Sequence, residues 1–359
     1  MDSEKKAVTV SVALCTYNGE RFLQQQLDSL ASQTRQPDEV VVCDDCSTDD
    51  TVAILDRWAQ SVPFSVRIIR NQSNLGCFHN FENTLKNVEG DIVFLADQDD
   101  VWHADKIEVM LNVFEKNPNV GLVFHNTNVI DAAGNDLGLD EIELRGAWRL
   151  TTYMRQLSPN LDKHPITSGC CSAIRRTIIQ KILPLEERFG HDGWIYLFAP
   201  AFADVVTIPD KLISYRCHDS NVSVRADLNE QIHHFDQYVR DYYKNEVYLF
   251  LTCDQFKEPF LKRVEQAEDS VYKTRLLKYY NRTQKRIKHR ELIQRNLFIY
   301  SPLFVYELLT FNYWRGFQPM KCIAYDFWTG LKNAFRLESW KGLLRRLGIG
   351  GTINHGLRK

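Results

Sequence analysis

The sequence lacks a glycine-rich phosphate loop. The first apolar run, "VTVSVALC" (8–15), is followed by "TYNGE" (16–20), which contains a single glycine. Dinucleotide-binding folds place G-x-G-x-x-G at this point, and P-loop proteins place G-x-x-x-x-G-K there. The absence argues against a dinucleotide enzyme, a P-loop protein and a nucleotidyltransferase. The chain also has no internal repeat and no low-complexity linker, and its composition is that of a globular protein.

The cysteines lack a disulfide or metal-binding pattern. Nine cysteines are an odd number without a repeated spacing, and no second cysteine or histidine pair follows the C-x-x-C of Cys43 and Cys46 at metal spacing. The polar start "MDSEKK" does not resemble a secretory signal. We therefore expect reduced, mostly buried thiols in a cytoplasmic protein, with a redox or zinc role of the C-x-x-C as the alternative.

The net charge of −2 is unevenly distributed. Residues 1–256 sum to −15, and residues 257–359 sum to +13. Such asymmetry predicts that the basic end meets an anionic surface, either a membrane or a nucleic acid. The alternative is that two faces of one protein attract each other. We favour the membrane and expect no nucleic-acid partner.

The basic end also contains the most apolar segment, "NLFIYSPLFVYELLTFNYW" (296–314). Its length would just span a bilayer, but Pro302 and Glu307 interrupt it. Its Tyr and Trp content and the nearby basic "WKGLLRRLG" (340–348) favour a helix in the membrane interface. Helices packed on the protein itself are the alternative. We expect a cytoplasmic protein, peripheral on the inner face of the plasma membrane.

The first part of the chain alternates short apolar runs with amphipathic stretches. In "ERFLQQQLDSLASQ" (20–33), for example, Phe22, Leu23, Leu27 and Leu30 have helical spacing. Four repeats of strand and helix predict an α/β fold, with a mostly parallel sheet flanked by helices.

The regular alternation ends near residue 119. After it, "SAIRRTIIQKIL" (172–183) predicts a helix, and "ADVVTIPDKLISYRCHDSN" (203–221) predicts a strand and a loop. We expect a first domain over residues 1–225 and a helical, basic, aromatic-rich C-terminal region over residues 226–359.

Three polar clusters follow the first, second and fourth predicted strands, where parallel sheets bind ligands. The last of them, "DQDD" (97–100), sets Asp97, Asp99 and Asp100 close together. These carboxylates repel one another unless a cation lies among them, so the cluster predicts a divalent-cation site. The alternative is a solvated turn.

The second cluster, "DDCSTDD" (44–50), follows the second predicted strand. Asp44 and Asp45 are placed to accept an N–H of a pyrimidine base. The alternative is a helix N-cap provided by Ser47 or Thr48, which would leave both preceding carboxylates unexplained.

Taken in order, these motifs resemble a known family. The matching segments are "VALCTYNGERFLQQQLDSLASQT" (12–34), "EVVVCDDCSTDDT" (39–51), "IIRNQSNLGCFHNFENTL" (68–85) and "GDIVFLADQDDVWHADKIE" (90–108). They resemble glycosyltransferase family 2, which has the glycosyltransferase A fold. Within it they are most similar to the bacterial rhamnosyltransferase-like branch, with its T-Y-N-G-E, D-D-x-S-T-D, N-L-G and D-Q-D-D-x-W motifs. The resemblance covers roughly residues 8–224.

The resemblance assigns roles to matching positions. The implied nucleotide-sugar-binding residues are Thr16, Tyr17, Asn18, Glu20, Asp44, Asp45, Asn74, Gly76, Asp97, Gln98 and Arg216. The implied metal ligands are Asp99, Asp97 and His218, with an ordinary hydrogen-bonded histidine as the alternative for His218. Asp192 of "HDGW" matches the family's catalytic base, with a helix N-cap as its alternative. Gly169, His191 and Trp194 are assigned to the acceptor or sugar pocket.

The resemblance implies a metal-dependent, inverting glycosyltransferase with Mg²⁺ or Mn²⁺ as cofactor. Such a transfer needs one carboxylate to deprotonate the acceptor hydroxyl and a cation to neutralise the leaving diphosphate. The branch implies dTDP-rhamnose as the first donor, with a UDP-linked hexose second. The expected acceptor is a growing surface polysaccharide, such as O-antigen or capsule, on a polyprenyl lipid. A non-catalytic nucleotide-sugar- or glycan-binding subunit of a synthase complex is the alternative from another class.

Overall fold

The predicted alternation of strands and helices is present from the start of the chain. The computed structural model describes residues 7–140, 168–187 and 190–221, with isolated positions between 261 and 305. In chain order the elements are β1 (Val10–Thr16), α1 (Glu20–Ala31), β2 (Glu39–Asp44), α2 (Thr51–Ala59), β3 (Ser65–Arg70), α3 (Gly76–Asn87), β4 (Ile92–Ala96), β5 (Val101–Trp102), α4 (Lys106–Lys116), β6 (Val120–Ile130), a 3-10 turn (Gly169–Cys171), β7 (Ser172–Arg175), α5 (Arg176–Ile182), α6 (Gly190–Phe202) and β8 (Asp204–Arg216).

One sheet of eight strands carries these elements, in the order β3-β2-β1-β4-β7-β6-β8-β5. β1 pairs in parallel with β2 and β4, and β2 pairs in parallel with β3. β7 is antiparallel to both β4 and β6, and β5 is antiparallel to β8. The predicted α/β class is confirmed: the first four long strands form the parallel half, and the later strands make the sheet mixed.

Two neighbouring strands of the parallel half lie in the core. β1 and β4 are buried at every position, as expected for parallel strands covered on both faces. The four apolar side chains predicted on one side of α1 are all buried: Phe22, Leu23, Leu27 and Leu30. Burying each of them contributes about 2 kcal/mol to the free energy of unfolding. The position of α1 therefore follows from its apolar spacing.

One predicted helix begins later than expected. In the segment 172–183, Ser172–Arg175 forms β7, and the helix α5 starts only at Arg176. β7 fills the space between β4 and β6, so pairing on both sides decides its conformation over its local spacing.

Most described cysteines are buried, as predicted. Cys15, Cys43, Cys170, Cys171 and Cys217 are buried free thiols, whereas Cys46 is half-buried and Cys77 is exposed. The Cys46 thiol donates a hydrogen bond to the Asn71 carbonyl at 3.0 Å, so the C-x-x-C is not a disulfide in this structure.

The predicted boundary between residues 1–225 and residues 226–359 stays a prediction. Most of the chain beyond residue 221, including nearly all of the predicted interfacial helix at 296–314, lies outside the described residues. Among the helices that the structure describes, none has the length and apolar character to cross a membrane.

Candidate active site

The carboxyl ends of β1, β2 and β4 meet at one edge of the sheet. In the strand register, Thr16 at the end of β1 is paired with Asp44 at the end of β2. The pairing of β1 with β4 ends where Leu14 lies opposite Ala96, just before residues 97–100. The loops that follow these strands are therefore neighbours, as the polar clusters predict. We call residues 16–20 the pocket loop and residues 97–100 the cation loop.

Asn18 and Glu20 join the pocket loop to the loop after β2. The Asn18 N–H donates to Ser47 Oγ at 2.9 Å, and the Thr48 N–H donates to Asn18 Oδ1 at 2.8 Å. The Asp50 N–H donates to Glu20 Oε2 at 2.9 Å. Ser47 and Thr48 therefore bond to a neighbouring loop, and neither caps α2 as the alternative interpretation expected.

Asp44 and Asp45 are buried carboxylates. Asp44 is 1% exposed and accepts a hydrogen bond from Thr16 Oγ1 at 2.8 Å. Asp45 is 2% exposed and accepts the backbone N–H groups of Leu75 at 2.7 Å and Gly76 at 2.8 Å. Both side chains hold loops in place, and a contact of either with a base stays a prediction.

The N-L-G motif forms the start of α3. Gly76 has a φ of 79°, in the left-handed region that favours glycine. Asn74 Nδ2 donates to the Asp45 carbonyl at 3.3 Å, and Asn74 Oδ1 accepts the Gly76 N–H at 3.1 Å. The turn leaves Leu75 41% exposed, and Tyr17 on the pocket loop is 48% exposed. These are large apolar side chains in loops where the sequence predicts a nucleotide.

Gln98 of the cation loop contacts the pocket loop directly. The Tyr17 N–H donates to Gln98 Oε1 at 2.8 Å, and Gln98 Nε2 donates to the Tyr17 carbonyl at 3.0 Å. The two loops that were predicted to bind the nucleotide and the cation are thus joined by one side chain.

Asp99 and His218 meet at the cation loop. His218 Nε2 lies 2.9 Å from Asp99 Oδ2. Because the Ser220 N–H points to His218 Nδ1 at 3.2 Å, we assign the proton of a neutral imidazole to Nε2, which then donates to Asp99. The Phe22 ring supports the imidazole, with ring centroids 4.6 Å apart. The structure therefore brings two predicted metal ligands together.

Asp100 is the fully buried residue of the cation loop. Its Oδ1 accepts the Arg216 N–H at 3.0 Å, while its Oδ2 has no hydrogen-bond partner within the part of the chain that is described. Burial, and then the charges of Asp99 and Asp97, raise the pKa of Asp100 well above its ordinary value. Ligand atoms of Asp97, Asp100 and Cys170 lie within 4.8 Å of one another. A carboxyl oxygen without a partner, beside a second carboxylate, fits a hard divalent cation.

Arg216 supports the cation loop from behind. It is 1% exposed, and its Nε donates to the Asp99 carbonyl at 2.8 Å. Its Nη2 donates to Gln25 Oε1 at 2.6 Å, and its Nη1 donates to the carbonyls of Asp131 and Ala132, both at 3.3 Å. The guanidinium is used within the protein, so its predicted contact with the donor stays a prediction.

Asp192 and His191 lie in the first turn of α6. The Gly193 N–H donates to Asp192 Oδ1 at 2.7 Å. The His191 ring stacks on Phe81, with centroids 3.8 Å apart, and burial lowers the pKa of His191. A Cβ at Gly169 would lie 3.1 Å from His191 Nε2 and 3.4 Å from Asp192 Cβ, so glycine allows this close approach. Three residues predicted for the base and the acceptor pocket are therefore adjacent.

Trp194, which the resemblance assigns to the sugar or acceptor pocket, is a buried side chain. It is 2% exposed, its Nε1 donates to the Ile182 carbonyl at 2.9 Å, and its ring packs 4.4 Å from that of Phe198. Two positions beyond Asp192 a helix has turned by roughly 200°. Trp194 therefore lies on a different side of α6 from Asp192, and its assignment to the sugar or acceptor pocket stays a prediction.

Cys77, on α3, was not identified from the sequence. Partial burial, followed by the charges of Asp97, Asp192, Asp45 and Asp99, raises the pKa of its thiol to about 12. These charges come from the cation loop, from α6 and from the loop after β2, and we call the space between these three elements the cleft. The available sequence signal was its position directly after the N-L-G motif.

Comparisons with known proteins identify sequences that this chain resembles. Residues 11–183 match the model of "Glycosyl transferase family 2". An uncharacterized glycosyltransferase of Nostoc sp. is 29% identical over 248 residues, which cover 65% of this chain and 75% of that protein. The dTDP-rhamnosyl transferase RfbG of Shigella flexneri is 34% identical over 119 residues, 32% of this chain and 38% of that protein. Uncharacterized proteins of Mycobacterium bovis and Mycobacterium tuberculosis are 24% identical over 223 residues, and the chain spans 59% of their length.

A solved structure agrees on the fold. The crystal structure of S. aureus TarS 1–349 in complex with UDP-GlcNAc superposes with a TM-score of 0.51 at 17% identity, over 93% of this chain and 92% of that one. The mixed sheet with its flanking helices is the part of the molecule that this likeness concerns. Residues 11–183 therefore match glycosyl transferase family 2, and the described sheet with its flanking helices has the glycosyltransferase A fold.

Proposed function

We propose that the protein is an inverting glycosyltransferase that uses a divalent cation and moves a sugar from a nucleotide diphosphate to an acceptor hydroxyl. The observation that carries the proposal is the geometry of the cation loop. Ligand atoms of Asp97, Asp100 and Cys170 lie within 4.8 Å of one another, Asp99 Oδ2 lies 2.9 Å from His218 Nε2, and Gly169, next to Cys170, lies against Asp192. Sugar transfer needs carboxylates for two tasks, cation binding and proton acceptance. One cleft offers groups for both.

On the donor side, Asp97, Asp99 and His218 are the proposed ligands of Mg²⁺ or Mn²⁺. When bound, the ion offsets the charge that develops on the leaving diphosphate. Arg216 and Asn221 hold Asp99 in place, since Arg216 Nε donates to its carbonyl at 2.8 Å and Asn221 Nδ2 to its Oδ2 at 3.4 Å. Nε2 of His218 can serve as a ligand only in the tautomer that carries its proton on Nδ1.

On the acceptor side, Asp192 is the proposed base. The acceptor oxygen forms a bond to the anomeric carbon while the bond from that carbon to the diphosphate oxygen breaks on the opposite face. The hydroxyl proton passes to the Asp192 carboxylate, which the Gly193 N–H orients at 2.7 Å. No covalent sugar intermediate forms, so a second nucleophilic carboxylate is not required.

The donor ranked first is dTDP-rhamnose. The support is sequence similarity over part of the chain to the Shigella protein named as a dTDP-rhamnosyl transferase. UDP-linked hexoses come second. The proposed acceptor is a surface polysaccharide in growth on a polyprenyl lipid, which a membrane contact of the basic C-terminal region would bring within reach.

The test is nucleotide release from a panel of nucleotide sugars, dTDP-rhamnose and UDP-hexoses included, with glycan acceptors and Mg²⁺ or Mn²⁺. We expect release from one donor that a chelator abolishes. Asp99→Ala should abolish it as well, and Asp192→Asn should lower the rate by about a hundredfold or more. Asp56→Asn, an exposed aspartate paired with Arg70, is the matched control and should match wild type.

The same experiment addresses the non-catalytic alternative. Donor binding that requires Asp99, without turnover on any acceptor in the panel, would contradict the enzyme and support a nucleotide-sugar-binding subunit. Release that is unaffected by Asp192→Asn would contradict the proposed base alone.

A further inference from the structure

We propose that Gln98 is a positioning residue that couples cation binding to nucleotide binding. It would do so by holding the pocket loop against the cation loop. The inference rests on the proposed function, because it assigns the nucleotide to the first loop and the cation to the second. The resemblance gave Gln98 a direct contact with the donor, whereas the structure shows its carboxamide bonded to the protein backbone.

The first observation is the geometry of the carboxamide. Gln98 both accepts from the Tyr17 N–H, at 2.8 Å, and donates to the Tyr17 carbonyl, at 3.0 Å. Backbone pairing of β1 with β4 ends where Leu14 lies opposite Ala96. The side chain therefore continues the link between the two strands into the loops, where no strand pairing remains. Such a two-point contact fixes the distance and also the angle between the loops.

The second observation is independent and concerns Gly19. Its φ of −101° and ψ of 7° are open to other residues, so backbone freedom does not explain a glycine here. A Cβ at this position would instead collide with the carboxamide of Gln98, 2.6 Å from its Cδ. The absence of a side chain at position 19 is what allows Gln98 to reach Tyr17.

The opposite side of the pocket loop is fixed without Gln98. The Asn18 N–H donates to Ser47 Oγ at 2.9 Å, and the Gly19 N–H donates to Thr51 Oγ1 at 2.7 Å. Removing the Gln98 side chain therefore leaves the pocket loop attached to the loop after β2. What is lost is the link to the cation loop, so the nucleotide pocket should persist while its response to the cation weakens.

The test is calorimetric binding of dTDP and of UDP, each with and without Mn²⁺. In the wild-type protein we expect Mn²⁺ to raise nucleotide affinity. In Gln98→Ala the enhancement by Mn²⁺ should shrink by about tenfold, as the loss of two hydrogen bonds implies. Gly19→Ala should have the same effect, because it displaces the carboxamide.

Two further variants sharpen the test. In the double variant Gly19→Ala/Gln98→Ala the loss should equal that of either single variant, since both changes break one contact. Gln24→Ala is the control, because Gln24 is exposed on α1 and its side chain donates to Asp28 at 2.8 Å on the same helix. It should keep the full enhancement.

The outcomes separate this inference from the proposed function. An unchanged Mn²⁺ enhancement in Gln98→Ala, or additive losses in the double variant, would overturn the coupling role while wild-type binding still supports a glycosyltransferase. Nucleotide binding by wild type without any effect of Mn²⁺ would also overturn the coupling. Absence of binding to either nucleotide and to every donor of the panel would overturn both.

Discussion

Asp100 is the fully buried carboxyl group of the cation loop. One of its oxygens accepts a backbone N–H, and within the described residues the other has no hydrogen-bond partner. Burial raises its pKa, which favours the protonated form while no cation is near. A protonated carboxyl group has nearly the shape and polarity of a carboxamide. The side chain should therefore tolerate that replacement, at the expense of cation affinity.

Asp100→Asn should leave the melting temperature of the metal-free protein close to that of wild type. The reason is that Asn Oδ1 still accepts the Arg216 N–H, which Asp100 accepts at 3.0 Å. The rise in melting temperature on adding Mn²⁺ should be smaller than in wild type, because a carboxamide carries no charge. Thermal unfolding with and without Mn²⁺ measures both.

Asp100→Ala gives the contrast. It leaves the buried Arg216 N–H unpaired and should destabilise the protein by about 1–3 kcal/mol even without metal. A full Mn²⁺ shift in Asp100→Asn would exclude Asp100 from the cation site.

At the scale of elements, Lys106 at the start of α4 lies fully buried. Its Nζ donates to the Cys170 carbonyl at 2.6 Å and lies 3.7 Å from the centre of the Trp102 ring. Burial lowers the pKa of Lys106 from 10.5 to about 8. One side chain thus connects α4, β5 and the turn before β7, and burying its charge reduces stability.

The consequence is a pH-dependent stability. Between about 8 and 10.5 the unfolded chain holds more protons at Lys106 than the folded chain does. The free energy of unfolding that this residue contributes therefore rises with pH across that window. Lys106→Met removes this pH-dependent contribution. The free energy of unfolding of wild type, relative to that of the variant, should therefore increase as the pH rises from about 8 to about 10.5.

Chemical unfolding of both proteins at several pH values checks this dependence. Lys116→Met, at the exposed end of α4, is the control and should track wild type at every pH. A constant difference between wild type and Lys106→Met would show that Lys106 is not deprotonated in that window.

The element scale also shows where sequence patterns lose information. The first four long strands were predictable because their apolar runs are separated by amphipathic helices. β7 has four residues and β5 has two, and so few positions cannot display a strand period. Their conformation depends on neighbours that are distant in the chain. These two short strands and their antiparallel pairings were therefore not predictable from local pattern.

The same physical limit applies to the candidate site. Asp97, Asp99 and His218 could be predicted from the sequence, because they lie in a carboxylate cluster or in motifs that resemble a known family. Cys77 and Cys170 carry no charge pattern, and only folding places them beside the carboxylates. The burial of Trp194 was not predictable from its neighbour Asp192, because adjacency in the chain does not give adjacency on a helix.

At the scale of the whole molecule, the charge difference between the two parts of the chain predicts membrane contact. Residues 257–359 carry +13, and aromatic residues accompany this charge. Deleting residues 290–359 should move the protein from the membrane fraction to the soluble fraction, because both the basic and the aromatic contributions are lost. Fractionation of cells that express either form measures this.

A charge-reversal variant of the full chain separates the contribution of the basic residues from that of the aromatic residues. Replacing Lys341, Arg345 and Arg346 by Glu keeps the length and the aromatic residues, and should weaken membrane association in part. An unchanged distribution after the deletion would contradict a membrane role of this region.

Residues at the end of β8 and just after it bond to the loop that follows β4. The Arg216 N–H bonds to Asp100, and His218 bonds to Asp99, although more than 100 residues separate each pair. During translation the cation loop therefore emerges from the ribosome long before the residues that bond to it. During synthesis the nascent chain carries an acidic loop without its partners until about residue 221 has emerged. A fragment limited to the family-matched residues 11–183 would likewise lack Arg216 and His218, which bond to the cation loop.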